Sequence, residues 1–225
     1  MGLILNLETS STNCSVCVAR DGVILAMKEL NSANYSHAEK LHIFIEEVLL
    51  EASLKTQDLD AVAVSKGPGS YTGLRIGVSS AKGLCYALGI PLISVSTLKS
   101  IASQLNSNEE VAVIIPVLDA RRMEVFSAVF DIQLNQVRET KAEVIDENSF
   151  KKYLSLKAVH FLGSGAEKIK GVFNQENTTY HCDVVPSAKQ MAAISFEKYS
   201  TKQFEDVAYF EPYYLKDFML QTKKA

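Results

Sequence analysis

Ala61-Val62-Ala63-Val64-Ser65-Lys66-Gly67-Pro68-Gly69-Ser70-Tyr71-Thr72-Gly73-Leu74-Arg75 runs from an apolar stretch through a glycine-rich turn into a helical pattern. Ala61 to Ser65 reads as a buried strand, and the helix that follows is closed by Gly89 ahead of Pro91. Amides at such a strand-to-helix turn, together with the helix dipole, favour an anion. The turn lacks the Lys-Ser/Thr pair of a Walker loop and does not have the dinucleotide glycine spacing. Taken alone, it is equally a tight packing turn.

Working outward, Leu3 to Leu7, Ser15 to Arg20 and Val23 to Leu30 read as three strands, the last two joined by the hairpin turn Asp21-Gly22. Ser36 and Glu39 form a capping box that opens a helix to about Ala52. After the glycine turn and its helix come a strand, Leu92 to Val95, and a short helix opened by Ser96. The second half repeats the order. Strands are expected at Val111 to Leu118, Glu124 to Phe130 and Glu139 to Ile145, then a helix from Asp146 to Leu154. A strand at Val159 to Leu162, a helix to Phe173, a strand near Tyr180 to Val184 and a helix opened by Ser187 complete it. The order predicts an α/β protein of two similar lobes, residues 1–105 and 106–225, joined at the polar run Asn106-Ser107-Asn108. The C-terminal tail is expected to pack back on the first lobe.

Composition narrows the function classes. The chain has 225 residues, 47% hydrophobic and 22% charged, with a net charge of −3. That balance is globular and argues against a protein that binds nucleic acid unaided. Lys66, Arg75, Lys82, Arg121 and Arg122 remain as material for a local basic patch. No signal-peptide pattern or bilayer-spanning run is present, and the four cysteines do not suggest a disulfide framework, so a cytoplasmic protein without membrane contact is expected.

Two turns between the lobes are candidates for ligand contact: Glu8-Thr9-Ser10-Ser11-Thr12-Asn13 and Asp119-Ala120-Arg121-Arg122. Their residues are also ordinary turn formers. His37 and His42 stand five apart on one helix, point about 140° from each other and read as surface groups. His160 and His181 lie on separate strands with no acidic partner nearby in sequence. Cys14 and Cys17 fall on opposite faces of a strand. No metal site and no catalytic set is found. The helices at 36–52 and 72–88 are apolar on more than one face, with Ile43, Leu50, Leu74 and Val78 expected to form an exposed apolar strip.

Several strings then converge: Leu5-Asn6-Leu7-Glu8-Thr9-Ser10-Ser11, Ser36-His37-Ala38-Glu39, Lys66 to Gly77, Pro116-Val117-Leu118-Asp119-Ala120-Arg121-Arg122 and Gly163-Ser164-Gly165. In this order they closely resemble the TsaB (YeaZ) family of tRNA threonylcarbamoyladenosine biosynthesis proteins, end to end and more weakly after Gln133. The resemblance implies an actin/sugar kinase/Hsp70-like (ribonuclease H-like) fold and a non-catalytic relative of the transferase TsaD. TsaD carries a His-x-Glu-Gly-His metal motif where this chain has Thr97 and Ile101 in place of the two histidines. The resemblance further implies a heterodimer with TsaD through the first two helices, placing Ile43, Glu46, Leu50, Leu74, Arg75, Val78 and Lys82 at the interface. TsaE would join transiently as an ATPase, tRNA would be met only through the complex, and the chain alone would form a homodimer by the same helices. No cofactor is expected beyond ATP or ADP at an inter-subunit site, for which Thr9, Ser10, Ser11, Gly69, Tyr71, Asp119 and Arg121 are the candidate contacts. The rival readings are a stand-alone nucleotide-binding protein, a small-molecule kinase using Asp119 as base, and a metallopeptidase-like enzyme.

Overall fold

The computed structural model describes residues 1–32, 36–105, 112–173 and 175–216. The lobe boundary expected at 106–108 lies outside them. Ten strands form two five-stranded sheets. In the first sheet β1 (Leu3–Glu8) is central, with β2 (Asn13–Arg20) and β3 (Val23–Asn31) antiparallel on one side. On the other side β4 (Ala61–Gly67) and β5 (Leu92–Ser96) run parallel to it, giving the order β3-β2-β1-β4-β5. The second sheet uses β6 (Val113–Asp119), β7 (Glu124–Phe130), β8 (Gln136–Val144), β9 (Val159–Leu162) and β10 (Thr178–His181) in the order β10-β9-β6-β7-β8. Strand for strand the two orders are the same. The duplication read from element order is therefore present in the pairing itself.

The helices α1 (His37–Glu51) and α2 (Tyr71–Leu88) cover one face of the first sheet. Leu41, Ile45, Val48 and Leu49 of α1 meet Val78, Ala81 and Cys85 of α2 over Leu5, Val16, Val62 and Val64. Gly89, at φ 67°, ends α2 in the left-handed conformation that glycine adopts without strain. Asp21 and Gly22 both have positive φ, as a two-residue hairpin requires. Ser36 occupies the N-cap of α1, but its side chain makes no capping bond; the amides of Glu39 and Lys40 donate to the Ser36 carbonyl instead.

In the second lobe the same two helical positions shrink to α4 (Lys151–Leu154) and α5 (Ala166–Lys170). The two remaining helices exchange places. α3 (Thr97–Ala102) follows the first sheet but buries Leu98, Ile101 and Ala102 against Ile114, Leu118, Phe130 and Leu162 of the second. α6 (Ala188–Ser200) follows the second sheet but lies on the open face of the first, where Met191 and Ile194 meet Ile4, Ala61, Ala63, Ile93 and Val95. The expected division at residue 105 thus does not separate the cores: residues 188–200 complete the first lobe.

The segment after α6 also belongs to the first lobe. Glu205 N donates to Leu92 O at 2.9 Å, and Tyr213 N donates to Lys66 O at 2.7 Å. Val207 and Phe210 pack on the core under α1 and α2.

Candidate functional site

The first candidate turn is closed by the chain itself. Thr9 Oγ1 donates to Gly73 O at 2.8 Å, Ser10 N donates to Glu8 Oε1 at 2.6 Å, and Ser70 N donates to Ser10 O at 2.7 Å. Thr9 and Ser10 are buried. A Cβ built on Gly69, Gly73 or Gly77 would stand 2.1–2.3 Å from Ser10 or Thr9 atoms. The glycines therefore admit the turn onto the start of α2, which engages Thr9 Oγ1 and the Ser10 backbone and leaves the buried Ser10 Oγ without a partner among the described residues. Of the candidate ligand contacts, Thr9 and Ser10 are thus buried in this packing and Gly69 stands directly against Ser10. Ser11 is half-buried and its Oγ accepts the Asn13 amide. Tyr71 stacks on Tyr214 with centroids 4.8 Å apart and takes Arg75 Nη1 on its hydroxyl at 3.0 Å.

Glu8 ends β1 at full burial, one carboxylate oxygen holding the Ser10 amide and the other without a partner. Burial pushes its pKa up, against the opposing pull of hydrogen bonds from Ser10, Ser65 and Thr9.

The second turn lies open. Asp119 pairs with Lys168 Nζ at 2.7 Å, takes the Arg121 amide at 2.6 Å and is itself positioned by Ser164 Oγ. Arg121 and Arg122 are exposed with φ of 70° and 50°. Among the described residues no hydrogen bond joins Glu8 to Asn13 with Asp119 to Arg122.

Thr97 and Ile101, one turn apart on α3, are both fully buried. Among the described residues no group of three or more His, Cys, Asp or Glu could hold a metal ion. His37 is buried, not a surface group; its Nε2 meets Ser11 O at 2.8 Å and ties α1 to the first turn. His42 is exposed and reaches Ser80 Oγ across to α2. His160 and His181 stand side by side on β9 and β10 with Nδ1 and Nε2 3.1 Å apart, a contact that their separation in sequence concealed. Cys14 and Cys17 enter different core clusters on opposite faces of β2, and burial pushes their thiols up to about 11 and about 12.

The outer face of α1 and α2 differs from the expected strip. Leu74 is 1% and Val78 4% exposed. With Ala81 and Cys85 they form the i, i+4, i+7, i+11 stripe that α2 buries, because Gly73 and Gly77 roll that helix down onto the first turn. Both residues are core, which corrects their placement at the surface. Ile43 and Leu50 do stand outside, 45% and 80% exposed, with Glu46 exposed beside them. Tyr86, at 86%, extends the apolar surface onto the end of α2, a residue that the apolar stripe did not single out. Arg75 is exposed, whereas Lys82 donates to Ala208 O and Phe210 O at 3.0 Å each and is committed to the C-terminal segment. A pocket of about 340 Å³ opens between that segment and α2, lined by Tyr71, Arg75, Ser79, Phe210 and Tyr214.

Residues 30–225 match the family described as TsaD, tRNA N6-adenosine threonylcarbamoyltransferase. The tRNA threonylcarbamoyladenosine biosynthesis protein TsaB of Escherichia coli (strain K12) is 27% identical over 220 residues, 95% of this chain and 94% of that protein. The TsaB of Bacillus subtilis (strain 168) is 33% identical over 127 residues, 56% of this chain and 54% of that protein. YeaZ from Pseudomonas aeruginosa superposes with a TM-score of 0.84 at 22% identity, covering 96% of this chain and 100% of that one. The fold is the actin/sugar kinase/Hsp70-like one.

Proposed function

From the premise that the chain belongs to the TsaD family, among its TsaB (YeaZ) members, we propose that it is the non-catalytic activating subunit of a tRNA threonylcarbamoyladenosine-forming assembly. The chain pairs with a TsaD protein through the outer face of α1 and α2 and leaves threonylcarbamoyl transfer to that partner. TsaE joins the pair transiently. One observation carries the reading: at equivalent places in two otherwise matching lobes, α1 and α2 span 15 and 18 residues while α4 and α5 span 4 and 5. The enlarged pair displays Ile43, Leu50 and Tyr86 to solvent. Helices of that length can supply the about 800 Å² per partner of a standard interface.

The filled first turn and the buried Thr97 and Ile101 agree with a chain that supports chemistry elsewhere. Alone, the chain should cover the same face by forming a homodimer. The test mixes the full chain with TsaD of its own organism and measures mass by light scattering. A one-to-one complex is expected for the parent and none for the doubly charged variant Ile43→Glu with Leu50→Glu. Burying the new carboxylates should cost about 2–5 kcal/mol. A parent that does not associate, or a double variant that associates normally, overturns the interface. Threonylcarbamoyl transfer by this chain without TsaD overturns the non-catalytic assignment.

A further inference from the structure

We infer that the β5 edge of the first sheet is a track for single-stranded RNA, with Lys66, Lys99 and Lys198 holding the phosphodiester backbone and the exposed rings of Phe204 and Tyr213 stacking on bases. The inference deepens the proposed function, because it gives the activating subunit its own contact with the RNA.

The three lysines come from three elements and meet at one strand edge. Lys198, in the last turn of α6, donates from Nζ to Ser94 O at 2.7 Å. Lys66 stands at the end of β4, between Ser65 and Gly67, whose partners on β5 are Val95 and Ser96. Lys99 lies in the first turn of α3, its amide capped by Ser96 Oγ. All three are half-buried. Among the described residues, the ammonium groups of Lys66 and Lys99 have no hydrogen bond or ion pair. Lys198 is pushed below the ordinary lysine value by burial and then by the charges of Lys66 and Lys99, so the three groups feel one another. Two acidic groups offset them: Glu205, whose carboxylate accepts the Ser94 hydroxyl, and the exposed Glu197. The pinned segment adds the exposed Lys202, Asp206 and Glu211, so the edge carries no net surplus, yet folding has gathered three like charges in a partly desolvated place against their repulsion. An anion brought to the edge relieves that repulsion.

The chemistry beside the lysines selects the anion. The C-terminal segment is pinned at both ends of the cluster, by Glu205 N to Leu92 O and by Tyr213 N to Lys66 O. It thereby brings the exposed rings of Phe204, next to Glu205, and Tyr213 to the two ends of that edge. A free phosphate needs only the cations. Cations flanked by exposed rings suit a strand whose phosphates and unstacked bases are both available. With a net charge of −3, the contact is weak and strongly salt-dependent.

The experiment titrates the full chain into a fluorescein-labelled oligouridylate of about twelve nucleotides, following anisotropy from about 20 to about 200 mM salt. Binding is expected at low salt. Lys66→Gln, Lys99→Gln and Lys198→Gln should each flatten the slope of log affinity against log salt by about 0.7. Lys99→Arg should keep the parent slope, and Tyr213→Ala should weaken binding without changing it. No binding at the lowest salt, or slopes unmoved by all three glutamine variants, overturns the inference. So does displacement of the RNA by pyrophosphate at matched ionic strength, which would mark a free-phosphate site. Association with TsaD is measured on the same variants and should be unchanged. If it is lost while RNA binding persists, the lysines serve a protein partner and the RNA track is wrong. If RNA binding fails while association persists, the proposed function stands without it.

Discussion

Gly73 and Gly83 sit in the same helix with opposite surroundings, and the difference decides what each does. A Cβ on Gly73 would lie 2.1 Å from Thr9 O, a backbone atom that cannot swing away, while a Cβ on Gly83 meets nothing within 4 Å. Gly73→Ala should therefore lower stability by about 1–3 kcal/mol in urea unfolding. Gly83→Ala should raise it by about 0.5–1 kcal/mol. The sequence showed the glycine spacing but not its purpose, since a turn that cradles a ligand and one that cradles the chain's own Thr9 use the same residues. Glu8 adds a pH dependence. Its folded-state pKa is raised by burial, so the folded chain holds that proton more tightly than the unfolded chain. Its stabilising contribution is complete below the unfolded value and is lost as pH rises through the folded one. Glu8→Gln, which stays neutral, should gain stability relative to the parent as pH rises from about 4 upward. Urea midpoints of the two proteins that keep a constant separation over that range would refute it.

Element by element, the strands that alternate or run apolar without a break were readable. β1 to β7 and β9 fall close to the expected ranges, and both Asp21-Gly22 and Gly89 act as their chemistry dictates. Short elements with mixed pattern were not readable. β10 begins at Thr178 rather than Tyr180, and the helix expected from Asp146 is a single turn at 151–154. The facing of α2 failed for a specific reason. Leu74, Ile76, Val78, Ala81, Leu84, Cys85 and Leu88 nearly encircle that helix, so apolar periodicity alone cannot orient it. The orientation came from Gly73 and Gly77, which must face Thr9. Val78→Glu therefore buries a carboxylate in the core beside Cys14, Val16 and Val64 and should unfold the chain, lost as a cooperative far-UV transition at ambient temperature. Leu50→Glu, at a position 80% exposed, should leave the thermal midpoint within a few degrees of the parent. A folded Val78→Glu protein would return that residue to the surface strip first expected.

At the scale of the whole molecule, sequence order suggested two lobes in succession, and the chain instead interlocks them. Each lobe's final helix lies on the other lobe's sheet: α3 with Ile114 and Leu118, α6 with Ile4, Ala63 and Val95. Amphipathic pattern reports that a helix has an apolar face but not which sheet receives it, so this exchange was invisible before the structure. It makes a definite prediction for fragments. Residues 1–105 contain every strand of the first sheet and both helices of one face, yet they leave Ile4, Ala61, Ala63, Ile93 and Val95 bare on the other. Cys17 and Ala19 would be bare too, losing Ala188 and Ala192. The polar groups there also lose partners, since Asn6 Oδ1 takes the Ser195 hydroxyl at 2.7 Å and Ser15 Oγ takes the Ala188 amide at 3.1 Å. An exposed sheet face with unmatched polar groups cannot hold a single packed state. The 1–105 fragment should thus be loosely packed, binding a hydrophobic dye and melting without a sharp transition. A peptide of residues 186–216, which supplies α6 and the segment held at Leu92 and Lys66, should restore a cooperative melt and expel the dye. If the fragment melts sharply by itself, the first lobe is autonomous and α6 is a covering, not a part of its core.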